Sequence, residues 1–156
     1  MNLIIIFGAS YLYLVILGIA VVVFLCLDRY QRKPLLKLLI LTSIFAYIPA
    51  KLGGLLIHDP RPFVVEHIQP LIHAATDNGF PSDHTLLSMV IALVVLRFNK
   101  KVGSLLVVLA LLVGVARVLA HAHHVIDIVG SIVIAVIAIW LSQALLKGCK
   151  DHNKSL

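Results

Sequence analysis

Five long runs of apolar residues constrain this chain more than any other feature of its sequence. A helix needs about 20 apolar residues to cross a bilayer, and only helices and closed barrels satisfy their backbone hydrogen bonds within lipid. The runs lack the alternating pattern of barrel strands, and only 13% of the residues are charged, against roughly a quarter in a soluble domain. The sequence therefore predicts an all-α, polytopic membrane helical bundle of about five transmembrane helices, over residues 3–27, 35–57, 84–98, 102–120 and 125–146.

Residues 1–156 are expected to form a single integral membrane domain, because no repeat, linker or low-complexity segment divides them. The first run lacks the basic flank and the small-residue cleavage site of a signal peptide, so we expect it to be a retained helix. Cys26 and Cys149 are expected to be unpaired thiols, as in a reducing compartment.

The net charge of +6 follows the predicted topology and does not indicate nucleic-acid binding. Ten of the thirteen Lys and Arg residues fall at one predicted membrane face, which the positive-inside rule makes cytoplasmic. The N-terminus is then outside and the C-terminus inside a plasma (inner) membrane. Lys51, Arg61 and Arg117 fall at the outer face with seven of the eight histidines. Because polar residues at membrane depth are usually functional, this outer group is the candidate site.

The longest polar stretch, about His58 to Asp83, joins the second and third predicted helices on the outside. Prolines and a glycine divide it into short pieces. Apolar residues at loosely helical spacing between Phe63 and Ala75 predict a short interfacial helix in this outer loop.

Three polar clusters meet at the outer face: residues 58–62, residues 80–85, and Arg117-x5-His123-x3-Asp127. In the second cluster, Ser82 is placed as the N-cap of the third predicted helix, so free N–H groups and the positive dipole end point outward. Such a terminus binds anions, and His84 lies in its first turn.

His123 and Asp127 are four residues apart, on the same face of a helix. The carboxylate can hold one ring nitrogen as N–H and leave the other free as a nucleophile. Arg61 and Arg117 offer planar donor forks that fit phosphate oxygens. This combination predicts phosphoryl transfer, which depends mostly on positioning and charge stabilisation.

These clusters resemble, in order and approximate spacing, the three motifs of the type 2 phosphatidic acid phosphatase superfamily. The residues that carry the resemblance are Arg61-Pro62, Pro81-Ser82-x-His84 and Arg117-x5-His123-x3-Asp127. The stretch LIHAATDNGFPSDHT, residues 71–85, is similar to the undecaprenyl-diphosphatases associated with bacitracin resistance.

The resemblance implies a membrane enzyme that hydrolyses the terminal phosphate of undecaprenyl diphosphate, a lipid carrier of cell wall biogenesis, through a phosphohistidine. It implies that His123 is the nucleophile, that Asp127 orients it and that His84 is the general acid. It implies no metal or other cofactor. The expected partners are a polyprenyl diphosphate or phospholipid substrate and the bilayer, and the phosphate-binding residues are expected to be Arg61, Arg117, Ser82, Asp83 and Lys51.

The sequence departs from the superfamily pattern at two positions. The superfamily usually has Lys seven residues before the Arg of its Arg-Pro pair, where this chain has Gly54; Lys51 lies ten residues before Arg61. Ala116 stands where the superfamily often has Ser, which removes a hydroxyl next to Arg117.

Several alternatives remain open at this point. The substrate could be another lipid phosphate, namely phosphatidylglycerophosphate, phosphatidate or a lipid A phosphate. In a different class, a non-enzymatic channel or transporter could hold a metal with His121, His123, His124 and Asp127, although two arginines would repel a cation.

The remaining histidines of the outer face are interpreted as peripheral. His124 is three residues from Asp127 and so competes with His123 as nucleophile, but the spacing from Arg117 favours His123. His121 and His124 are then rim residues. No chemistry is assigned to four residues of the outer loop, which are expected to be solvated: His58, Asp59, His67 and His73.

Overall fold

A computed structural model describes the backbone of residues 2–152 and the side chains of residues 2–148. The described chain is built from seven α-helices and lacks strands, which confirms the all-α prediction. The helices are α1 (Asn2–Ser10), α2 (Leu12–Cys26), α3 (Arg29–Leu56), α4 (Pro62–Val65), α5 (Asp83–Phe98), α6 (Lys100–Leu119) and α7 (Val125–His152).

The first predicted span corresponds to α1 and α2 together, and the other four correspond to α3, α5, α6 and α7. Three of these helices, α3, α6 and α7, are long and apolar enough to cross a membrane. The first predicted span is bent by 49° between α1 and α2, and the pair passes the same test as one span. Helix α5 has 16 residues, or about 24 Å at 1.5 Å per residue, which is shorter than the roughly 30 Å of a hydrocarbon core.

Helix α5 lies at the centre of the bundle, in contact with α2, α3, α6 and α7. Its buried residues, such as Met89 and Ala92, pack into one apolar core with Leu106 and Val113 of α6. At Gly103, an added Cβ would lie only 2.2 Å from the Cα atom of Leu96, so a small residue permits the close approach of α5 and α6. Because α5 is surrounded by other helices on these sides, its length need not match the thickness of the bilayer.

The outer loop contains one short helix, but it covers only the start of the apolar stretch between Phe63 and Ala75. Only α4, Pro62–Val65, is helical there. His67 has a left-handed backbone conformation, with φ of 54°, which ends the helix, and Pro70 disfavours a helical residue before it and lacks an N–H group.

Asn78 fastens the end of this loop to the end of α3. Its side-chain amide donates to the carbonyl oxygens of Gly54 (2.6 Å) and Ile57 (2.7 Å), and its Oδ1 accepts from the N–H of Asp59 (2.9 Å). The first and second polar clusters are thereby brought side by side.

The four helix ends that carry the polar clusters, those of α3, α5, α6 and α7, lie at the same end of the bundle. Helix α3 ends there at Leu56, α6 ends at Leu119, and α5 and α7 begin there. Cys26 is a free, exposed thiol near the opposite end, and the side chain of Cys149 lies outside the described residues.

Candidate active site

His123 lies in the turn between α6 and α7 and is 2% exposed. Its Nδ1 is 3.2 Å from Asp127 Oδ2, and its Nε2 is 3.1 Å from Arg117 Nη2 and 3.2 Å from Arg61 Nη1. Guanidinium nitrogens only donate hydrogen bonds, so Nε2 must be the accepting nitrogen and Nδ1 must carry the proton. Burial, together with the two guanidinium charges, lowers the pKa of His123 below 6.5, so the ring is neutral and Nε2 keeps its lone pair at neutral pH.

Asp127 is fully buried in the first turn of α7. Its Oδ2 accepts from the backbone N–H of His124 (2.9 Å) as well as from the ring of His123. The carboxylate is therefore fixed by the same turn that presents the histidine.

Two arginines from distant parts of the chain reach His123. Arg117, 6% exposed, also donates from Nη1 to the carbonyl oxygen of Ala9 in α1 (3.3 Å). Arg61 donates from Nη1 to the carbonyl oxygen of Ala122 (3.1 Å), and from Nε and Nη2 to Oδ1 of Asp77 (3.0 and 2.9 Å). Both guanidiniums are thus held in place before any ligand binds.

A cavity of about 310 Å³ opens beside His123. His84, half-buried, lies on its wall, and the ring of Tyr13 in α2 meets the His84 ring edge to face, with centroids 4.7 Å apart. The cavity is lined mainly by polar and cationic residues, including Ser10, Arg61, His73, Asp83, His84, Arg117 and His123.

Helix α5 begins at this cavity, with Ser82 at its N-cap position as predicted. The Ser82 hydroxyl, however, accepts from Thr85 Oγ1 (3.1 Å) and is fully buried, so it packs beneath the helix start and is not among the residues that line the cavity. The first intrahelical bond runs from Leu86 N–H to Ser82. The N–H groups that precede it, at Asp83, His84 and Thr85, belong to the anion-binding end of the helix.

Lys51 lies next to the site and not within the cavity of His123. Its Nζ is 5.5 Å from the centroid of the Tyr47 ring. It lines a second cavity of about 330 Å³, which shares Arg61 and Asp83 with the first. A ligand that extends from one cavity into the other would meet both Arg61 and Lys51.

Sequence reasoning missed Asp59, which it placed among solvated loop residues. Its side chain is only 19% exposed, its Oδ1 is 3.1 Å from His124 Nδ1, and one of its oxygens lies within 4.8 Å of an oxygen of Asp127. Burial and the neighbouring Asp127 raise the pKa of Asp59. No pattern along the chain signals this contact, because it depends on how the loop after α3 folds back.

The residues that could hold a metal ion in the structure differ from the set that the sequence suggested. Asp59, His124 and Asp127 each place one ligand atom within 4.8 Å of the others, whereas His121 is exposed and has a left-handed backbone, with φ of 58°. His58, His67 and His73 are exposed, as expected for solvated loop residues, and His73 also lines the cavity of His123.

Comparison with solved structures shows the fold. The crystal structure of Aquifex aeolicus LpxE has a TM-score of 0.75 at 24% identity, covering 92% of this chain and 87% of that one. A PAP2-type phosphatidylglycerolphosphate phosphatase from Bacillus subtilis has a TM-score of 0.63 at 24% identity, covering 94% of this chain and 77% of that one.

Curated relatives are more similar in sequence. Undecaprenyl-diphosphatase BcrC of Bacillus subtilis (strain 168) is 38% identical over 62% of this chain, and the match spans half of that relative's length. Bacitracin transport permease protein BcrC of Bacillus licheniformis is 31% identical, and putative undecaprenyl-diphosphatase YbjG of Escherichia coli (strain K12) is 33% identical; both matches cover 88% of this chain, and 68% and 70% of the relatives. The model of the PAP2 superfamily matches residues 7–149. The three motifs are also brought together at one cavity. The chain therefore belongs to the PAP2 superfamily.

Proposed function

We propose that this protein is a membrane lipid phosphatase that hydrolyses the terminal phosphate of undecaprenyl diphosphate. The observation that carries the proposal is the environment of His123: a neutral ring on the wall of a cavity shared with His84, whose Nδ1–H faces Asp127 and whose unprotonated Nε2 accepts from two guanidiniums. Relatives named undecaprenyl-diphosphatase support the choice of substrate.

In the first step, the terminal phosphate docks against Arg61, Arg117 and the N–H groups at the start of α5. His123 Nε2 attacks phosphorus in line. The bond from phosphorus to the bridging oxygen breaks, and its electron pair leaves with the lipid monophosphate, whose oxygen takes a proton from His84. Asp127 stabilises the positive charge that develops on the His123 ring.

In the second step, water cleaves the phosphohistidine. His84, now neutral, accepts a proton from the water as its oxygen attacks phosphorus. The P–N bond breaks, inorganic phosphate is released and His123 returns to its neutral form. The two guanidiniums stabilise the phosphoryl oxygens in both transition states.

An apolar groove supports a lipid as the substrate. It has a volume of about 500 Å³, lies between α3 and α5, and is lined by residues such as Ile44, Tyr47, Leu87 and Val90. Asp83 lines this groove as well as both polar cavities. A lipid whose chain occupied the groove would place its head group at the polar cavities.

The proposal places the active site on the outer or periplasmic side of the plasma membrane, with the N-terminus outside and the C-terminus in the cytoplasm. The distribution of Lys and Arg supports this orientation. Substrate from the outer leaflet would then reach the cavity without crossing the membrane.

A panel of lipid phosphates in detergent tests the substrate. We expect the fastest phosphate release from undecaprenyl diphosphate, and slower release from phosphatidylglycerophosphate, phosphatidate and a lipid A phosphate. One structural neighbour is a phosphatidylglycerolphosphate phosphatase, so a preference for that lipid is the chief alternative. Release from that lipid and not from undecaprenyl diphosphate would overturn the choice of substrate while keeping the chemistry.

A further inference from the structure

The carboxyl groups of Asp59 and Asp127 lie close together next to His123, with an oxygen of each within 4.8 Å of an oxygen of the other. Asp59 Oδ2 and Asp127 Oδ1 are both buried, and neither receives a hydrogen bond from an N–H or hydroxyl donor in the described part of the chain. The other oxygen of Asp127 already has two donors, from His123 and His124.

Two ionised carboxylates in this position would repel each other, and each would bury an oxygen without a donor. An unsatisfied buried polar atom costs free energy, and more if it is charged. One proton shared by the pair removes both costs, because the neutral acid donates an O–H bond to its ionised partner. Asp127 faces the imidazole N–H and a backbone N–H, which favour its ionised form, so Asp59 is the group that keeps the proton.

We propose that Asp59 is a positioning residue of the active site, which donates a hydrogen bond as a neutral acid to Asp127 and so fixes the carboxylate that orients His123. The inference rests on the proposed function, since it assigns a role in the same reaction. Asp59 touches no reacting atom in this scheme. It acts through Asp127, as a second carboxyl behind the orienting one.

The backbone around Asp59 is built to hold it at this place. Its N–H donates to Asn78 Oδ1 (2.9 Å), and its carbonyl oxygen accepts from the N–H of Gly79 (2.8 Å). Its Oδ1 is 3.1 Å from His124 Nδ1. Asp59 is therefore held through both its backbone N–H and its carbonyl oxygen, and its Oδ1 lies toward His124, which leaves Oδ2 for Asp127.

Replacing Asp59 by Asn and by Ala separates the proposed hydrogen bond from the charge. Asn is close in shape to a neutral Asp and can donate from Nδ2 to Asp127, so Asp59→Asn is expected to keep kcat within about threefold of the wild type. Asp59→Ala leaves Asp127 Oδ1 without a partner and is expected to lower kcat at least tenfold, or about 1.4 kcal/mol. KM should change less than twofold in both, because Asp59 does not contact the phosphate. Glu66→Ala, which removes an exposed carboxylate of the same loop, is the matched control.

The midpoint of thermal unfolding in detergent provides a readout without substrate. Asp59→Ala is expected to lower it relative to Glu66→Ala, and Asp59→Asn to restore it. If the wild type releases no phosphate from any lipid tested, the proposed function fails, and the unfolding series still decides whether the carboxyl pair exists.

Two results would overturn the inference. One is an Asp59→Ala variant with the kcat and unfolding midpoint of the Glu66→Ala control. The other is an Asp59→Asn variant as impaired as Asp59→Ala, which would mean that an ionised carboxylate is required. Loss of activity in EDTA and its recovery with Zn²⁺ would then identify Asp59, His124 and Asp127 as a cation site.

Discussion

At the scale of single residues, the reactivity of His123 is set by what meets its two ring nitrogens. Asp127 accepts a hydrogen bond from Nδ1–H, and the guanidiniums of Arg61 and Arg117 donate to Nε2. The spacing of His123 and Asp127 predicted their contact, which the structure contains, but it also predicted that both lie on one helix. His123 instead lies in the turn just before α7, and only Asp127 is on the helix. The contact of Arg117 with the Ala9 carbonyl could not be predicted in this way, because it joins residues 108 positions apart. The contact of Arg61 with Asp77 could not be predicted either, because it depends on how the outer loop folds back on itself.

Replacing His123 by Ala is expected to abolish phosphate release from undecaprenyl diphosphate, because no phosphohistidine can form. His121→Ala is the matched control: His121 is two residues away, exposed, and outside the cavity, and its loss should leave kcat within about twofold. Phosphate release assayed in detergent, with unfolding curves to verify folding, measures both. A folded His123→Ala protein with near-normal turnover would mean that another residue is the nucleophile.

The pH dependence of kcat/KM is expected to reflect the burial of His123. Burial and the neighbouring cations lower the pKa of His123 below 6.5, and only the neutral ring can attack phosphorus. The reactive form is present above that pKa and is lost as the pH falls through it, so the acidic limb should have its midpoint below pH 6.5. Initial rates at substrate concentrations well below KM report the free enzyme. An acidic limb centred above pH 6.5 would contradict a buried, neutral nucleophile.

At the scale of elements, the loop between α3 and α5 does most to assemble the site. Its sequence predicted that Ser82 would occupy the N-cap position of α5. It did not predict the path of the loop backbone, because that path depends on hydrogen bonds such as those from Asn78 to Gly54 and Ile57. The apolar spacing after Phe63 indicated a longer helix than the four residues of α4, since periodicity does not register the left-handed conformation of His67.

Gly79 lies tightly against the carboxylate of Asp127. An added Cβ would lie 3.0 Å from Asp127 Oδ2 and 3.1 Å from the carbonyl oxygen of Asp59. We therefore expect Gly79→Ala to displace Asp127 and to lower kcat by roughly tenfold to a hundredfold, as small misplacements of catalytic groups do. Gly18→Ala is the control, since a Cβ there would meet nothing within 4 Å. Equal kcat values for the two variants would show that the loop accommodates the added methyl group without displacing Asp127.

At the scale of the whole molecule, the candidate active site and most of the Lys and Arg residues lie at opposite ends of the bundle. The cavity of His123 lies where α5 and α7 begin, whereas the basic residues of the chain gather mainly where α3 and α6 begin. The apolar runs were sufficient to predict the helices and which of their ends lie together. They did not predict that α5 would be the short central helix, or that the first run would bend by 49°, because both depend on packing between helices.

The orientation of this arrangement can be measured by cysteine labelling in intact cells. In a Cys26→Ser, Cys149→Ser background, Glu66→Cys places a thiol in the exposed part of the outer loop, and Lys101→Cys places one at the exposed start of α6 at the other end. We expect a membrane-impermeant maleimide to label Glu66→Cys in intact cells and Lys101→Cys only after permeabilisation. The reason is that the end of the bundle rich in Lys and Arg should lie in the cytoplasm by the positive-inside rule. Permeabilised cells control for reactivity, since both thiols should then be labelled. The reverse pattern would put the cavity of His123 on the cytoplasmic side, where it could act only on lipid phosphates of the inner leaflet, and the proposed substrate would have to be sought there.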